Sequence, residues 1–223
     1  MPDRRLRRVV VLGTGTGVGK TRLTVALARA LRRIGPTLAL KPLESGGDAD
    51  ARAFDVENSI RVEPHPLIAL AEPLSPHLAA RREGRRVSVA ELTGWVAQQE
   101  SQLALCDNTS PYIFSVIESA GGALSPLSRE ARNLELARAL DPAKLLLVGP
   151  DSLGVLHALG STLIAMAALG RPPDLVALSA ASVDASTGTN ADELRELGIA
   201  DPAFVLGPGE DDASALAEAF ISS

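Results

Sequence analysis

Residues 13–21 read GTGTGVGKT and lie between the apolar run VVVL and a segment with helical spacing. Glycines let an anion approach backbone N–H groups closely, and a lysine followed by a threonine offers a point charge for phosphate and a hydroxyl for Mg²⁺. Lys20 and Thr21 take those two positions. The stretch therefore predicts a phosphate-binding loop at a junction between a strand and a helix.

The glycine spacing departs from the usual pattern G-x-x-x-x-G-K-[ST] of such loops. That pattern requires a glycine five residues before Gly19, where the sequence has Thr14, and Gly13 stands one residue too early. A glycine-rich turn alone could be structural. The Gly-Lys-Thr triplet between a predicted strand and a predicted helix favours phosphate binding.

Two alternating patterns surround this loop. Short aliphatic runs are continuous in Val, Leu and Ile, as in parallel strands that are covered on both faces. Segments with apolar residues at helical spacing lie between them. The predicted strands span residues 9–13, 37–41, 112–118, 144–149 and 174–179. The predicted helices span residues 75–84, 88–105, 128–140, 153–169, 189–197 and 212–221, besides one that begins near Lys20 and ends at Gly35.

This alternation predicts a single α/β domain over residues 1–223. We expect a doubly wound, mostly parallel sheet of the P-loop NTPase type. Because right-handed crossovers place ligands at the carboxyl ends of parallel strands, the phosphate loop should lie at that edge.

Composition excludes several classes of function. The chain has 22 Lys and Arg against 27 Asp and Glu, a formal net charge of −5, which argues against a general nucleic-acid-binding protein. Its single cysteine, Cys106, allows no intramolecular disulfide and no thiol zinc site. No run approaches the length of a membrane span, so we expect a cytoplasmic protein. The cluster Arg4, Arg5, Arg7 and Arg8 is expected to be a solvated N-terminal end.

Four segments, in order, resemble the dethiobiotin synthetase family. The loop GTGTGVGKT resembles that family's G-T-D-T-x-V-G-K-T, and LKPLESG (40–46) resembles its K-P-V-x-[ST]-G. EPLSPHLAARREGR (72–85) resembles its E-P-x-S-P-H-x-A-A, and VIESAGGALSPLS (116–128) resembles its V-E-G-A-G-G-x-x-x-P-L. The last third of the chain matches only as a continuation of the fold.

The resemblance implies an ATP-dependent ring closure that uses Mg²⁺. In that family 7,8-diaminononanoate captures CO₂, from bicarbonate, as a carbamate on one amine. The γ-phosphate of ATP activates the carbamate as a mixed carbamic–phosphoric anhydride, and the second amine closes the ureido ring. The products are dethiobiotin, ADP and phosphate. The resemblance also implies a homodimer with the site near the subunit interface.

The resemblance assigns roles residue by residue. The catalytic residues would be Lys20 on the β- and γ-phosphates, Lys41 between the γ-phosphate and the carbamate, and Thr16 on the carbamate or the diamine. The implied Mg²⁺ ligands are Thr21, Asp50 and Glu118. The implied nucleotide-binding residues are Gly15, Thr16, Gly17, Val18, Gly19, Lys20, Thr21, Arg22, Asp50, Glu118, Ser119, Ala120 and Gly121. The implied substrate-binding residues are Lys41, Ser45, Gly154, Val155 and Leu156, the last three from the partner subunit.

The residue types leave alternatives open. Asp50 has Asp48 and Asp55 nearby and could equally be an exposed loop carboxylate. Glu118 ends a strongly apolar strand, where an unpaired carboxylate would be costly, so a metal or a lysine partner is expected. His77 is more often structural than catalytic in such a position, and His65 is expected in a loop.

Departures from the family pattern carry predictions of their own. Gly15 and Ser119 replace an Asp and a Gly, and Leu156 stands in the position of an Asn. Glu44 adds a carboxylate where a negatively charged carbamate is expected, or it could bind an amine. Asp151 would oppose an anion at the helix start near Gly154.

The base-binding position departs as well. Ala181 replaces the Asn with which the family reads adenine, and the segment that follows is shortened to LGPG (206–209). We therefore predict weak or altered selectivity for the nucleotide base.

The sequence leaves a second interpretation of the function open. A diverged paralogue could keep the Mg-nucleotide site and act on another substrate, or serve as a nucleotide-responsive binding protein. The partition-type ATPases are disfavoured, because their signature lysine would fall at Gly15.

Overall fold

The computed structural model describes residues 5–106 and 110–221. The strands are β1 (Arg5–Gly13), β2 (Thr37–Leu40), β3 (Leu43–Ser45), β4 (Ile68–Leu70), β5 (Tyr112–Gly122), β6 (Lys144–Pro150), β7 (Leu175–Ser179) and β8 (Phe204–Leu206). The helices are α1 (Lys20–Arg32), α2 (Ala49–Asp55), α3 (Pro76–Arg82), α4 (Val89–Cys106), α5 (Asn133–Leu140), α6 (Val155–Ala168), α7 (Asn190–Glu196) and α8 (Ser214–Ile221).

Six strands form one parallel sheet in the order β2-β5-β1-β6-β7-β8, and β3 and β4 pair as a separate parallel ribbon. The predicted parallel sheet is therefore confirmed, and all five predicted strands lie in it. The short strands β3, β4 and β8 and the helix α2 were not predicted. The helix predicted over 128–140 begins only at Asn133, because the preceding residues form a turn closed by a bridge between Pro126 and Arg132.

Both faces of the sheet are covered, which explains the continuous apolar runs. On β1, Val10 and Leu12 pack in one hydrophobic cluster, whereas Val9 and Val11 pack in the other. Alternate side chains of a strand point to opposite faces, so each face of β1 supplies its own core. No helix in the described part of the chain combines the length and apolar character that a bilayer span requires.

The prediction of a solvated N-terminal arginine cluster is wrong at Arg7 and Arg8. The Arg8 guanidinium pairs with the buried Glu100 carboxylate, with Nη2 2.6 Å from Oε2. Arg7 donates to the carbonyl of Ile221 at 2.9 Å and lies 5.1 Å from the centre of the Tyr112 ring. Because the strand already begins at Arg5, these side chains reach α4 and α8 instead of solvent. Arg4 lies outside the described residues.

Candidate active site

The phosphate loop lies at the carboxyl end of β1, as predicted, and α1 begins at Lys20. Gly19 precedes the helix with φ 85°, a left-handed conformation that a side chain rarely adopts. A Cβ atom at Gly19 would lie 2.7 Å from Cβ of Ser179. Glycine is therefore required here both by the backbone conformation and by the close approach of β7.

The Lys20 side chain lies inside this loop and is 6% exposed. Its ammonium group donates to the carbonyl of Gly15 at 2.9 Å. Burial lowers the pKa of Lys20, and the negative charge of Glu118 partly opposes that shift. The ammonium group is thus held by one neutral acceptor, which a phosphate oxygen can replace.

A second buried lysine, Lys41, follows β2 and contacts two carboxylates. Its Nζ lies 2.7 Å from Oε1 of Glu118, and it is also paired with Asp50. Burial alone would lower the pKa of Lys41, but the charges of Glu118 and Asp50 and the hydrogen bonds to them raise it above its ordinary value. Lys41 is therefore a charged group that is almost fully buried.

Glu118 is 0% exposed, and its carboxylate accepts hydrogen bonds from three side chains. Besides Lys41, the Thr21 hydroxyl donates to its Oε1 at 3.0 Å and the Thr24 hydroxyl donates to its Oε2 at 2.9 Å. The expected lysine partner of this carboxylate is present. Asp50 points to the same ammonium group although its side chain is 40% exposed, so it is more than a loop carboxylate.

Asp50 and Glu118 both contact the Lys41 ammonium group, and the Thr21 hydroxyl donates to the Glu118 carboxylate beside it. This donor set fits Mg²⁺, which takes one or two carboxylates and completes its shell with water and phosphate oxygens. Within the described residues, no three His, Cys, Asp or Glu side chains are grouped closely enough to hold a metal by themselves.

These groups line one cavity of about 630 Å³, hereafter the main cavity. Its walls also include Pro73–Pro76 and Ala181. The sequence-predicted site residues that line it are Thr16, Gly17, Gly19, Lys20, Thr21, Arg22, Lys41, Ser45, Asp50, Glu118, Ala120 and Gly121. The sequence-predicted residues outside its lining are Gly15, Val18, Ser119, Gly154, Val155 and Leu156.

The residues outside the main cavity have identifiable positions. Val18 is buried in the core beside α1, and Val155 is fully buried at the start of α6. Ser119 is 3% exposed and follows Glu118 on β5, so its side chain points to the opposite face. The binding role of Gly154 and Leu156 was expected across a subunit interface, and that arrangement stays a prediction.

The expectation that Glu44 faces the substrate is wrong. Its carboxylate accepts the backbone N–H groups of Asp50 at 2.9 Å and Ala51 at 3.0 Å, so it caps the first turn of α2. Burial raises the pKa of Glu44, while these N–H groups and Lys41 oppose the shift. Glu44 therefore positions Asp50, and the sequence missed this because α2 itself was not predicted.

Asp151 also has a different role from the expected one. It is 1% exposed and accepts the N–H of Gly188 at 2.9 Å and the Nδ2–H of Asn190 at 2.7 Å. It joins the end of β6 to the start of α7. Its charge is satisfied by these donors, and it does not line the main cavity.

His65 is a functional neighbour that the sequence did not indicate. Its side chain is 2% exposed, and its Nε2 accepts the backbone N–H of Lys41 at 3.1 Å. Nδ1 lies 2.9 Å from Oδ1 of Asp55. Its ring lies 6.1 Å from those of Phe54 and Trp95. This buried imidazole therefore fixes the backbone that carries Lys41.

We expect the stability of the protein to fall as pH drops below the ordinary pKa of histidine, about 6.5. Burial lowers the pKa of His65 in the folded state, and the Asp55 carboxylate only partly opposes this. As pH falls, the unfolded chain therefore binds the proton before the folded chain does. The contribution of His65 to the free energy of unfolding is complete above the ordinary pKa of histidine, and it is lost as pH falls from there toward the lowered pKa of the folded state. Urea unfolding between neutral and mildly acid pH measures it. His65→Gln should remove the slope, and an unchanged slope in that variant would refute the assignment.

Arg22 and Ala181 both line the main cavity. Arg22 donates from Nη1 to the carbonyls of Ala180 at 3.3 Å and Leu206 at 3.2 Å, and from Nη2 to that of Gly207. It thereby ties the segment 206–210 to the end of β7. The side chain that faces the cavity there is the methyl group of Ala181.

Comparisons with known proteins show which family the chain belongs to. A family model described as an AAA domain matches residues 7–194. The chain is 39% identical over 164 residues to the ATP-dependent dethiobiotin synthetase of Methylobacterium nodulans, covering 67% of this chain and 70% of that protein. It is 35% identical over 224 residues to that of Anaeromyxobacter dehalogenans strain 2CP-C, covering 96% and 95%. The similarity thus extends through the last third of the chain.

Solved structures share the fold. The chloroplast FtsY of Physcomitrella patens superimposes with a TM-score of 0.55 at 18% identity, covering 98% of this chain and 66% of that one. A ParA family ATPase from Chlorobium tepidum TLS superimposes with a TM-score of 0.53 at 15% identity, covering 97% and 89%. At these identities the likeness concerns the fold alone. It confirms the predicted P-loop NTPase architecture.

Proposed function

Since the chain belongs to the dethiobiotin synthetase family, we propose that it converts 7,8-diaminononanoate, CO₂ and ATP into dethiobiotin, ADP and phosphate. The observation that carries the proposal is the convergence of two buried ammonium groups, Lys20 and Lys41, with Thr21, Asp50 and Glu118 in one cavity. The named relatives support the enzyme over a nucleotide-responsive binding protein.

The residues would act by positioning and by neutralising charge, which is most of what phosphoryl transfer requires. Lys20 exchanges the Gly15 carbonyl for the β- and γ-phosphate oxygens. Lys41 holds the carbamate oxygen against the γ-phosphorus, and the hydroxyls of Thr16 and Ser45 hydrogen-bond the carbamate or the free amine. Thr21, Asp50 and Glu118 would hold Mg²⁺, which when bound neutralises charge on the phosphate oxygens.

Two bond exchanges complete the reaction. A carbamate oxygen forms a bond to the γ-phosphorus while the bond to the β-phosphate oxygen breaks and ADP leaves. The second amine then attacks the carbonyl carbon, loses a proton, and expels phosphate, which takes the carbamate oxygen with it. The ammonium groups of Lys20 and Lys41 balance the negative charge that develops on the transferring group.

Release of phosphate tests this proposal directly. We expect release only when diaminononanoate and bicarbonate are both present with Mg-ATP. Equal release without the diamine would reject the proposed function, because it would identify a simple nucleotidase.

We also propose a cytoplasmic homodimer. The resemblance of the sequence to the dethiobiotin synthetase family supports the dimer. In this arrangement the start of α6 from one subunit lies near the main cavity of the other.

We predict that ATP, CTP, GTP and UTP are used with KM values within about tenfold of one another. The methyl group of Ala181 makes no hydrogen bond, and one such bond contributes about 1 kcal/mol, less than tenfold in affinity. Steady-state kinetics with each nucleotide checks this. Ala181→Asn should restore a preference for ATP, whereas a strong preference for ATP in the unaltered protein would contradict the prediction.

A further inference from the structure

The imidazole of His65 is enclosed between three parts of the fold. Its side chain is 2% exposed, and its ring lies 6.1 Å from the ring of Phe54 on α2 and 6.1 Å from that of Trp95 on α4. The third neighbour is the backbone of Lys41, which follows β2. Packing against these elements fixes the position of the ring.

The partners of the two ring nitrogens define the tautomer of His65. A backbone N–H only donates, so Nε2, which lies 3.1 Å from the backbone nitrogen of Lys41, is the unprotonated acceptor. Nδ1 then carries the proton and donates to Oδ1 of Asp55 at 2.9 Å. Neutral His65 thus accepts from a backbone donor on one side and donates to a carboxylate on the other.

The N–H of Lys41 is the single backbone donor of the connection between β2 and β3. That connection consists of residues 41 and 42, and Pro42 has no N–H. The carbonyl of Pro42 accepts the N–H of Ile68 at 3.1 Å, so the segment 65–68 holds both residues of the connection. Without the imidazole acceptor, a buried backbone donor would lose its partner, and the backbone that carries the Lys41 ammonium group would shift toward another acceptor.

Asp55 connects the same imidazole to a partner of the Lys41 side chain. Asp55 is the last residue of α2, and Asp50, which pairs with the Lys41 ammonium group, lies in the first turn of that helix. His65 therefore contacts both the backbone of Lys41 and the helix that holds its side chain.

We propose that neutral His65 is a positioning residue for the ring closure, and that protonation of its imidazole stops the reaction by releasing the backbone of Lys41. This inference rests on the proposed function and adds to it a residue that acts through Lys41. In the protonated imidazole both nitrogens are donors, so the Nε2–H group would face the N–H of Lys41. A displacement of about 1 Å at a reacting group can lower a rate about 100-fold.

The charged groups that act on the imidazole set the pH range of this effect. Burial lowers the pKa of His65, the hydrogen bond and the charge of Asp55 oppose that shift, and the charge of Lys41 adds to it. The other two ring neighbours, Phe54 and Trp95, carry no charge. The kcat of ring closure should thus be complete above the ordinary pKa of histidine, about 6.5, and should fall as pH drops toward the lowered pKa of the folded state.

The pH dependence of kcat in three proteins tests the proposal. Diamine-dependent phosphate release at saturating substrates is measured between about pH 5 and pH 8, and circular dichroism at each pH gives the folded fraction, so that kcat is expressed per folded molecule. His65→Gln places an amide oxygen near the position of Nε2 and does not titrate, so it should retain most of the kcat at neutral pH and lose the acid decrease. His65→Leu offers no acceptor, and we expect its kcat to be about 10- to 100-fold lower at every pH, with an unchanged KM for ATP.

His77→Gln is the matched control. It removes another histidine beside the main cavity, one whose Nδ1 lies 3.0 Å from the Ser75 hydroxyl, and it should leave the acid decrease in place. Titration of the substrates affects all of these proteins equally, so the difference between their profiles belongs to His65. If His65→Leu does not fold, the comparison between the unaltered protein and His65→Gln decides.

The outcomes separate this inference from the proposed function. An acid decrease that persists in His65→Gln, or a folded His65→Leu with unaltered kcat, would overturn the role of His65. If the unaltered protein does not turn over the diamine, the proposed function fails, and nuclear magnetic resonance then tests His65. Nitrogen-15 spectra should show a protonated Nδ1 and an unprotonated Nε2 at neutral pH, and the amide resonance of Lys41 should shift as His65 titrates. The opposite tautomer, or a Lys41 amide that does not respond, would reject the inference.

Discussion

Lys41→Met should lower kcat of ring closure by about 10²- to 10³-fold, the effect of removing one charge-stabilising donor from an enclosed site. Lys41 is 4% exposed and carries its charge against Glu118 and Asp50, so no solvent cation replaces it readily. Methionine retains the length and apolar volume of the side chain. Diamine-dependent phosphate release under saturating Mg-ATP measures the loss.

Lys144→Met is the control for this variant. Lys144 begins β6 and therefore lies at the amino edge of the sheet, opposite the phosphate loop. Its replacement should leave kcat within about twofold of the value for the unaltered protein, because surface substitutions away from the active site and the core have small effects. If Lys41→Met has the same kcat as the unaltered protein, Lys41 takes no part in the reaction.

Lys41→Met should also lower the free energy of unfolding by about 3–5 kcal/mol, as expected when one partner of a buried ion pair is removed. The Glu118 carboxylate, 0% exposed, would remain with only the hydroxyls of Thr21 and Thr24. Adding Glu118→Gln should recover most of this loss, because a neutral amide can keep these hydrogen bonds without a buried charge. Urea denaturation at neutral pH, without nucleotide, gives the four values of the cycle.

The single variant Glu118→Gln completes this cycle. This variant leaves Lys41 paired with Asp50, which is 40% exposed and partly solvated. The decrease in the free energy of unfolding should therefore be smaller for Glu118→Gln than for Lys41→Met. Additive losses in the double variant would contradict the coupling between Lys41 and Glu118.

The parts of the fold that the sequence predicted are those with a strong local pattern. The strands β1, β2, β5, β6 and β7 have continuous aliphatic runs because both of their faces are covered. The strands β3, β4 and β8 have three residues each, too few to show a period. Helix α2 depends on Glu44, a capping residue outside the helix, and no local signal marks that contact.

The site residues also differ in whether a local sequence pattern predicts them. Lys20 and Thr21 were predicted from the loop and its position before a helix, and Glu118 from the cost of leaving a carboxylate unpaired in an apolar strand. His65 and Lys41 are 24 positions apart, and Arg8 and Glu100 are 92 apart. Contacts across such separations follow from the fold and not from local residue patterns. The resemblance to a family supplied the assignment of Lys41 and Asp50, while the contacts with Glu44 and His65 needed the structure.

The central claim is that a carbamate held by Lys41 attacks the γ-phosphorus and that the phosphate released carries one carbamate oxygen. Turnover with bicarbonate labelled with a heavy oxygen isotope, followed by mass spectrometry of the released phosphate, tests this most directly. We expect one labelled oxygen in the phosphate that is formed together with dethiobiotin. Unlabelled phosphate formed in step with dethiobiotin would contradict it, because the carbamate would then have closed the ring without becoming an anhydride.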